Sequence, residues 1–275
     1  MQINENTLLI GRFHKKVSPR SLNIYNPVFE ELGINAVYML FYNEDPAVLV
    51  SGLRTLKLSG AIVPGFESDS SLPPLLDSLS NVANFVGKVG FMYQRDGIVT
   101  GDLQSGKGIL RTIEKVSSLE GKKLVIVGAG NVVKALLFEI REKGIGCEVS
   151  IFNRTLGNVE ALQEEFPFIK ARTLDELESA NGDILANISD IGGSAEDIYF
   201  TEKVVGNFSN IVDITFEREN TNLVELGRKL GKNVSTGWDM FAYQGIVCLE
   251  AITGVEIPFD VMRKHVHVGL SETVV

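Results

Sequence analysis

A chain of 275 residues with 44% hydrophobic content has enough apolar material for two packed cores, so two domains are expected. Its net charge of −9 leaves no basic excess to neutralise phosphates, which argues against a nonspecific nucleic-acid binder. The two cysteines, Cys147 and Cys248, lie far apart in apolar stretches without metal-ligand spacing, so buried thiols in a reducing, cytoplasmic setting are expected and a metal site is not. No basic segment followed by an apolar core opens the chain, and no run of about 18 apolar residues occurs, so neither a secretory signal nor a membrane span is expected.

Strands and helices alternate from the start, which predicts an α/β protein with mainly parallel sheets. Residues 7–11 read as a strand, 21–32 as a helix ending at Gly33, 36–42 as a strand and 46–56 as a helix. A short strand follows at 60–63 and a helix at 75–82, then a hairpin of 88–93 and 98–100 around Arg95, Asp96 and Gly97. Residues 106–116 read as a helix leading into a second unit. Strands are expected there at 124–127, 148–152, 184–187, 211–213 and 233–235, with helices at 159–166 and 221–230. The apolar segment 240–252 reads as a helix that returns to the first unit. The domains are therefore expected at 1–104, 105–236 and 237–275, the last as C-terminal helices packing on the first.

The most informative stretch runs from Lys123 to Ile140. An apolar run meets Gly128 and Gly130, and a helical pattern follows through Val133, Ala135, Leu136, Leu137 and Ile140. This is a strand, a tight turn and a helix. Gly128 permits the turn, and Gly130 lets a pyrophosphate approach the backbone. The first helical turn, with Asn131 and Val132, offers N–H groups and a positive dipole end to the phosphates. The third small residue is Ala135, where the usual fingerprint places it at Val133. At the end of the next strand an NAD site carries Asp or Glu for the ribose 2′-hydroxyl. Here stand Asn153, Arg154 and Thr155, and no carboxylate repels a 2′-phosphate. Arg154 can pair with that phosphate, and Asn153 and Thr155 can hydrogen-bond to it, so NADP(H) is the expected cofactor.

Further pieces join this loop: Val17-Ser18-Pro19, Asn187-Ile188-Ser189, Val212 to Thr215, Gly237-Trp238-Asp239-Met240, and Gln244-Gly245. In this order and spacing they resemble the shikimate dehydrogenase family over nearly the whole chain. The resemblance implies a substrate domain and a Rossmann-type NADP domain flanking a cleft. It also implies reversible hydride transfer between NADPH and a small alicyclic keto or hydroxy acid, as in aromatic amino acid biosynthesis. By that resemblance Ser18 would bind the substrate carboxylate and Gln244 a substrate hydroxyl. Gly237 and Met240 would lie beside the nicotinamide, and Ser189 near the cofactor backbone.

The departures from the family are equally specific. The family's acid/base lysine falls at Ser68, and its partner aspartate falls at Ser105. A second N-terminal serine of the family is Lys16 here, and an asparagine of the substrate site is Gly90. A serine has no suitable pKa with which to move a substrate proton at neutral pH. Lys15, Lys16 and Lys107 are new cations expected near the site. Lys107, in the first turn of a helix, could act as an acid or clamp an anionic substrate. Asp69 and Asp102 could supply a carboxylate, and His14 lies close by in sequence. The expected function is an NADP-dependent oxidoreductase of altered specificity, working as monomer or homodimer on a small molecule. The alternative is a catalytically impaired binder of NADP(H) or a small acid on the same fold.

Overall fold

The computed structural model describes residues 3–15, 21–193 and 197–271. The chain divides into two compact units. Unit 1 comprises Met1–Gln104 and Gln244–Val275, and unit 2 comprises Ser105–Tyr243.

Unit 1 runs β1 (Leu8–His14), α1 (Leu22–Leu32), β2 (Ala36–Tyr42), α2 (Pro46–Thr55), β3 (Gly60–Ile62), β4 (Ser78–Leu79), α3 (Asn81–Val86), β5 (Phe91–Arg95) and β6 (Ile98–Asp102). Its six strands form one sheet in the order β2-β1-β3-β5-β6-β4. The pairs β1–β2 and β1–β3 are parallel, while β3–β5 and β5–β6 are antiparallel. Local chemistry sets the helix ends. Gly33 closes α1 in the left-handed conformation at φ +65°. Asp45 accepts the Ala47 N–H at 2.8 Å, and Pro46 stands at the first position of α2. One face of the sheet packs Phe13, Leu53, Val63, Phe66 and Met92 into a closed core.

The helix expected at 75–82 does not form. A short 3-10 turn covers Pro73–Leu75, β4 follows, and α3 starts only after Ser80. Asp77 and Ser80 dictate the change. The Asp77 carboxylate accepts the Val99 N–H at 2.7 Å, and Ser80 caps α3 by accepting the Ala83 N–H at 3.2 Å. Polar side chains that bond backbone in this way compete with a helix running through them.

Unit 2 runs α4 (Ser105–Glu114), β7 (Lys123–Val127), α5 (Asn131–Glu142), β8 (Glu148–Asn153), α6 (Leu156–Glu165), β9 (Ile169–Thr173), β10 (Ile184–Asn187), α7 (Glu202–Gly206), β11 (Asn210–Asp213), α8 (Asn222–Lys229) and β12 (Asn233–Ser235). The remaining helices are α9 (Gly237–Thr253) and α10 (Phe259–Ser271). The six strands lie wholly parallel in the order β9-β8-β7-β10-β11-β12. Counted from β7, this is the 3-2-1-4-5-6 order of the dinucleotide-binding fold. It confirms the expected α/β class. Strand β9 and helix α7 were not foreseen. A Cβ on Gly106 of α4 would lie 2.5 Å from the Ala135 carbonyl oxygen, so α4 and α5 cross with their backbones nearly touching.

Candidate functional site

The order of unit 2 reverses between β7 and β10, and α/β folds bind ligands beyond the carboxyl ends of the strands at such a point. The loop that leaves β7 there has an unusual backbone. Gly128 has φ +115°, and a Cβ on it would overlap the Ile188 carbonyl, whose carbon would lie at 2.8 Å. No side chain fits at 128 while the loop after β10 keeps its course. Gly130 is different. It is exposed, has ordinary φ of −89°, and a Cβ there would meet nothing within 4 Å. It is also the N-cap of α5 without a side-chain cap. The N–H groups of Asn131, Val132 and Val133 find no acceptor among the described residues. Open space in front of uncapped amides at the end of a twelve-residue helix suits a phosphate.

At the end of β8, Asn153 donates to the Thr155 carbonyl at 2.9 Å. Arg154 is exposed and has no partner among the described residues. Thr155 is the N-cap of α6. No carboxylate stands in this turn, so the fork of Arg154 is available to an anion.

A buried polar framework lies under the loop after β10. The Ser189 hydroxyl donates to Asn187 Oδ1 at 2.6 Å. The Asn187 amide donates to the Ile191 carbonyl at 2.8 Å and to Asp213 Oδ1 at 3.1 Å. Asp213 also accepts the Thr215 N–H at 3.0 Å and the Thr221 hydroxyl at 2.6 Å. Burial pushes the Asp213 carboxyl above the usual carboxylate range, against the pull of these donors. Asn187 and Asp213 were quoted in the sequence only as motif letters. The signal that could have found them is a polar residue ending each of two otherwise apolar strands.

Gly237 opens α9, and a Cβ there would overlap the Thr215 backbone. Trp238 donates its indole N–H to the Phe216 carbonyl at 3.1 Å, and Met240 is buried. Asp239 accepts Lys115 Nζ at 2.6 Å, the Ser235 hydroxyl at 3.2 Å and the Thr236 N–H at 3.0 Å. Gly237 and Met240 are thus fixed to the ends of β11 and β12.

In unit 1, Ser68 is exposed on the turn after β3. Its neighbour Asp69 accepts Lys15 Nζ at 3.0 Å, and that ammonium lies 4.8 Å from the ring centroid of the buried Phe66. The Ser71 hydroxyl, then Lys15, hold the Asp69 carboxyl down at about 2. Lys15 and Asp69, raised separately from the sequence, are therefore one pair beside position 68. His14 lies near Gly65 of the same turn. Asp102 is buried at the end of β6, where it accepts the Leu103 N–H at 2.7 Å and the Ser80 hydroxyl. Gln104 lies over Gly90. A Cβ at 90 would overlap the Gln104 amide, whose Oε1 is buried without a partner. Gln244 is half-buried on α9 beside Gly245, where a Cβ would stand 3.1 Å from Tyr25 Oη. In unit 2, Ser105 and Lys107 occupy the first turn of α4, with Ser105 buried. Lys16 and Ser18 lie outside the described residues.

Comparison with known proteins agrees with this geometry. The family model described as shikimate/quinate 5-dehydrogenase matches residues 111–218. The NADP(+) shikimate dehydrogenase of Methanopyrus kandleri is 30% identical over 260 residues, which is 88% of this chain and 89% of that one. Its counterpart in Pyrococcus abyssi is 27% identical over 243 residues, covering 88% and 90%. The shikimate 5-dehydrogenase of Listeria monocytogenes, solved with shikimate and NAD, is 26% identical with a TM-score of 0.81 over 96% of this chain and 98% of that one. A solved shikimate 5-dehydrogenase-like protein reaches a TM-score of 0.84 over 98% and 99% at 21% identity, a likeness of fold alone. With Rossmann strand order, glycine loop and these relatives together, the chain belongs to the shikimate dehydrogenase family.

Proposed function

We propose that this protein is an NADP(H)-dependent oxidoreductase that interconverts a small cyclic hydroxy acid and its ketone, with a specificity shifted from that of its relatives. The observation that carries the reading is the pairing of the open Gly130 cradle with the unpartnered Arg154. Helix α5 amides would hold the pyrophosphate, Arg154 the 2′-phosphate, Gly237 and Met240 would border the nicotinamide, and Ser189 would lie near the cofactor backbone. Bound NADPH would supply the hydride. The relatives named as NADP(+) enzymes support the same cofactor.

The proton must come from a group other than residues 68 and 105, which are serines. Lys15 is assigned this duty. It stands beside position 68 and is held by a carboxylate, Asp69, at 3.0 Å. A lysine so paired has one ammonium proton to give toward a ketone oxygen and a neighbour that keeps it oriented. Gln244 would bond a substrate hydroxyl from α9.

The second reading is a protein that binds NADP(H) without turnover, and the serines at 68 and 105 favour it. One experiment separates the two. NADPH is titrated by nicotinamide fluorescence, and shikimate and quinate are then offered with NADP⁺. Binding with turnover supports the dehydrogenase, while binding without turnover of these two acids and of a wider panel of cyclic hydroxy acids supports the second reading. Absence of NADPH binding would sink both.

A further inference from the structure

Arg12 and Tyr38 of unit 1 form a second polar feature that neither the cofactor loop nor the Lys15–Asp69 pair uses. Arg12 lies on β1 between Leu40 of β2 and Ile62 of β3. Its Nη1 donates to the Ser21 hydroxyl at 2.8 Å. Its Nε is buried without any partner, and no carboxylate pairs with Arg12 among the described residues. Tyr38 is 1% exposed. Its hydroxyl lies beside Ser21 and Arg12, within their reach but without a well-aligned hydrogen bond to either. Burial first of all pushes this phenol up to about 12, so it stays a donor at any ordinary pH. Buried donors are nearly always satisfied, so two orphans side by side point to an acceptor that belongs between them.

The placement is rigid. Asn26 of α1 clamps Tyr38 through both backbone groups, donating to its carbonyl at 3.0 Å and accepting its N–H at 2.8 Å. The Tyr25 ring stands edge-on to Tyr38 at 4.9 Å between centroids. Tyr25 in turn touches Gly245, the neighbour of Gln244.

We infer that Arg12 and Tyr38 form a receptor for the carboxylate of a small acid, in place of the serine that the family resemblance nominates at position 18. With Nη1 committed to Ser21, the free edge of the guanidinium is Nε with Nη2. That edge offers two parallel N–H groups at the spacing of the two oxygens of a carboxylate. The Tyr38 hydroxyl adds a third donor. A half-buried cation without an internal counter-charge gains from an anionic ligand and not from a neutral one. The inference rests on the proposed dehydrogenase reading only for what the acid is used for.

The test is side-chain NMR of the full chain labelled with ¹⁵N-arginine. The Nε–Hε signal of Arg12 is assigned by its absence in Arg12→Lys. Shikimate, quinate and benzoate are the carboxylate probes, with methyl shikimate and inorganic phosphate as controls. A saturable shift of this signal with at least one carboxylate, and none with the ester, is expected. Tyr38→Phe, which keeps the packing volume, should weaken that probe by about 10–100-fold on the same signal. The inference is overturned if no carboxylate moves the signal up to millimolar concentration, if ester or phosphate moves it equally, or if Tyr38→Phe binds as the parent does. NADPH fluorescence is read on the same samples. Lost NADPH binding with an intact Arg12 response would sink the cofactor reading alone, and the reverse would sink this inference alone.

Discussion

Replacing each of the two loop glycines by alanine separates folding from binding. At Gly128 the backbone sits at φ +115°, where an L-residue is strained, and the new Cβ would overlap a backbone carbonyl that has no rotamer to change. Left-handed backbone costs about 1–2 kcal/mol for a residue with a Cβ, and forced overlap in a packed site about 1–3 kcal/mol more. Gly128→Ala should therefore lose about 2–5 kcal/mol, a fall in melting temperature of about 4–20 °C at about 2–4 °C per kcal/mol. At Gly130 the φ is −89° and nothing lies within 4 Å of the new Cβ, so Gly130→Ala should cost under about 1 kcal/mol, the usual penalty of alanine at an N-cap. Its effect should appear on the ligand, because the methyl fills the space reserved for pyrophosphate. An affinity loss of about 10-fold or more for NADPH is expected, since losing one good phosphate contact costs about 1.4 kcal/mol or more. The assays are urea unfolding and nicotinamide fluorescence on both variants. Equal stability of Gly128→Ala and the parent would refute the steric argument. Unchanged NADPH affinity of Gly130→Ala would refute the phosphate assignment.

Four more outcomes are expected. Arg154→Ala should weaken NADPH by about 10–100-fold, as loss of a charge-assisted pair does, and leave NADH within about twofold; equal effects on the two would show that Arg154 does not meet a 2′-phosphate. Asp213→Ala strands the donors of Asn187, Thr215 and Thr221 and should cost about 3–5 kcal/mol in urea unfolding. Because burial raises the Asp213 carboxyl above its unfolded value, its contribution is full below the ordinary carboxylate range and is lost as pH rises through the raised folded value, so melting curves of Asp213→Asn should fall less than the parent's over that rise. Lys15→Ala should lower kcat by about 10²–10⁴-fold with NADPH affinity unchanged, while Lys107→Ala and Lys16→Ala are ranked beside it; a Lys15→Ala rate equal to the parent's would move the acid elsewhere.

The β7–loop–α5 unit was legible because its physics is local: an apolar run, a positive-φ glycine and a helical repeat follow one another directly. Strand β9 was not, for Ile169–Thr173 is five residues long with Lys170 and Arg172 on its open face, and an edge strand of that kind looks like a loop. Segment 75–82 misled because its apolar spacing mimics a helix, while Asp77 and Ser80 take their partners from Val99 and α3. The Lys15–Asp69 and Arg12–Tyr38 juxtapositions link residues 54 and 26 positions apart, the second through the β1–β2 register and the first through the turn that follows β3. The backbone approach of Gly106 to Ala135 likewise joins residues 29 positions apart, which no local pattern announces.

The fit of Gln104 over Gly90 bears on how such a site could change. An asparagine put back at 90 would collide with the Gln104 amide, so that step alone is harmful, while shortening residue 104 first would open a hole that nothing yet fills. The two positions are bound by sign epistasis: each reversal is unfavourable until the other has occurred.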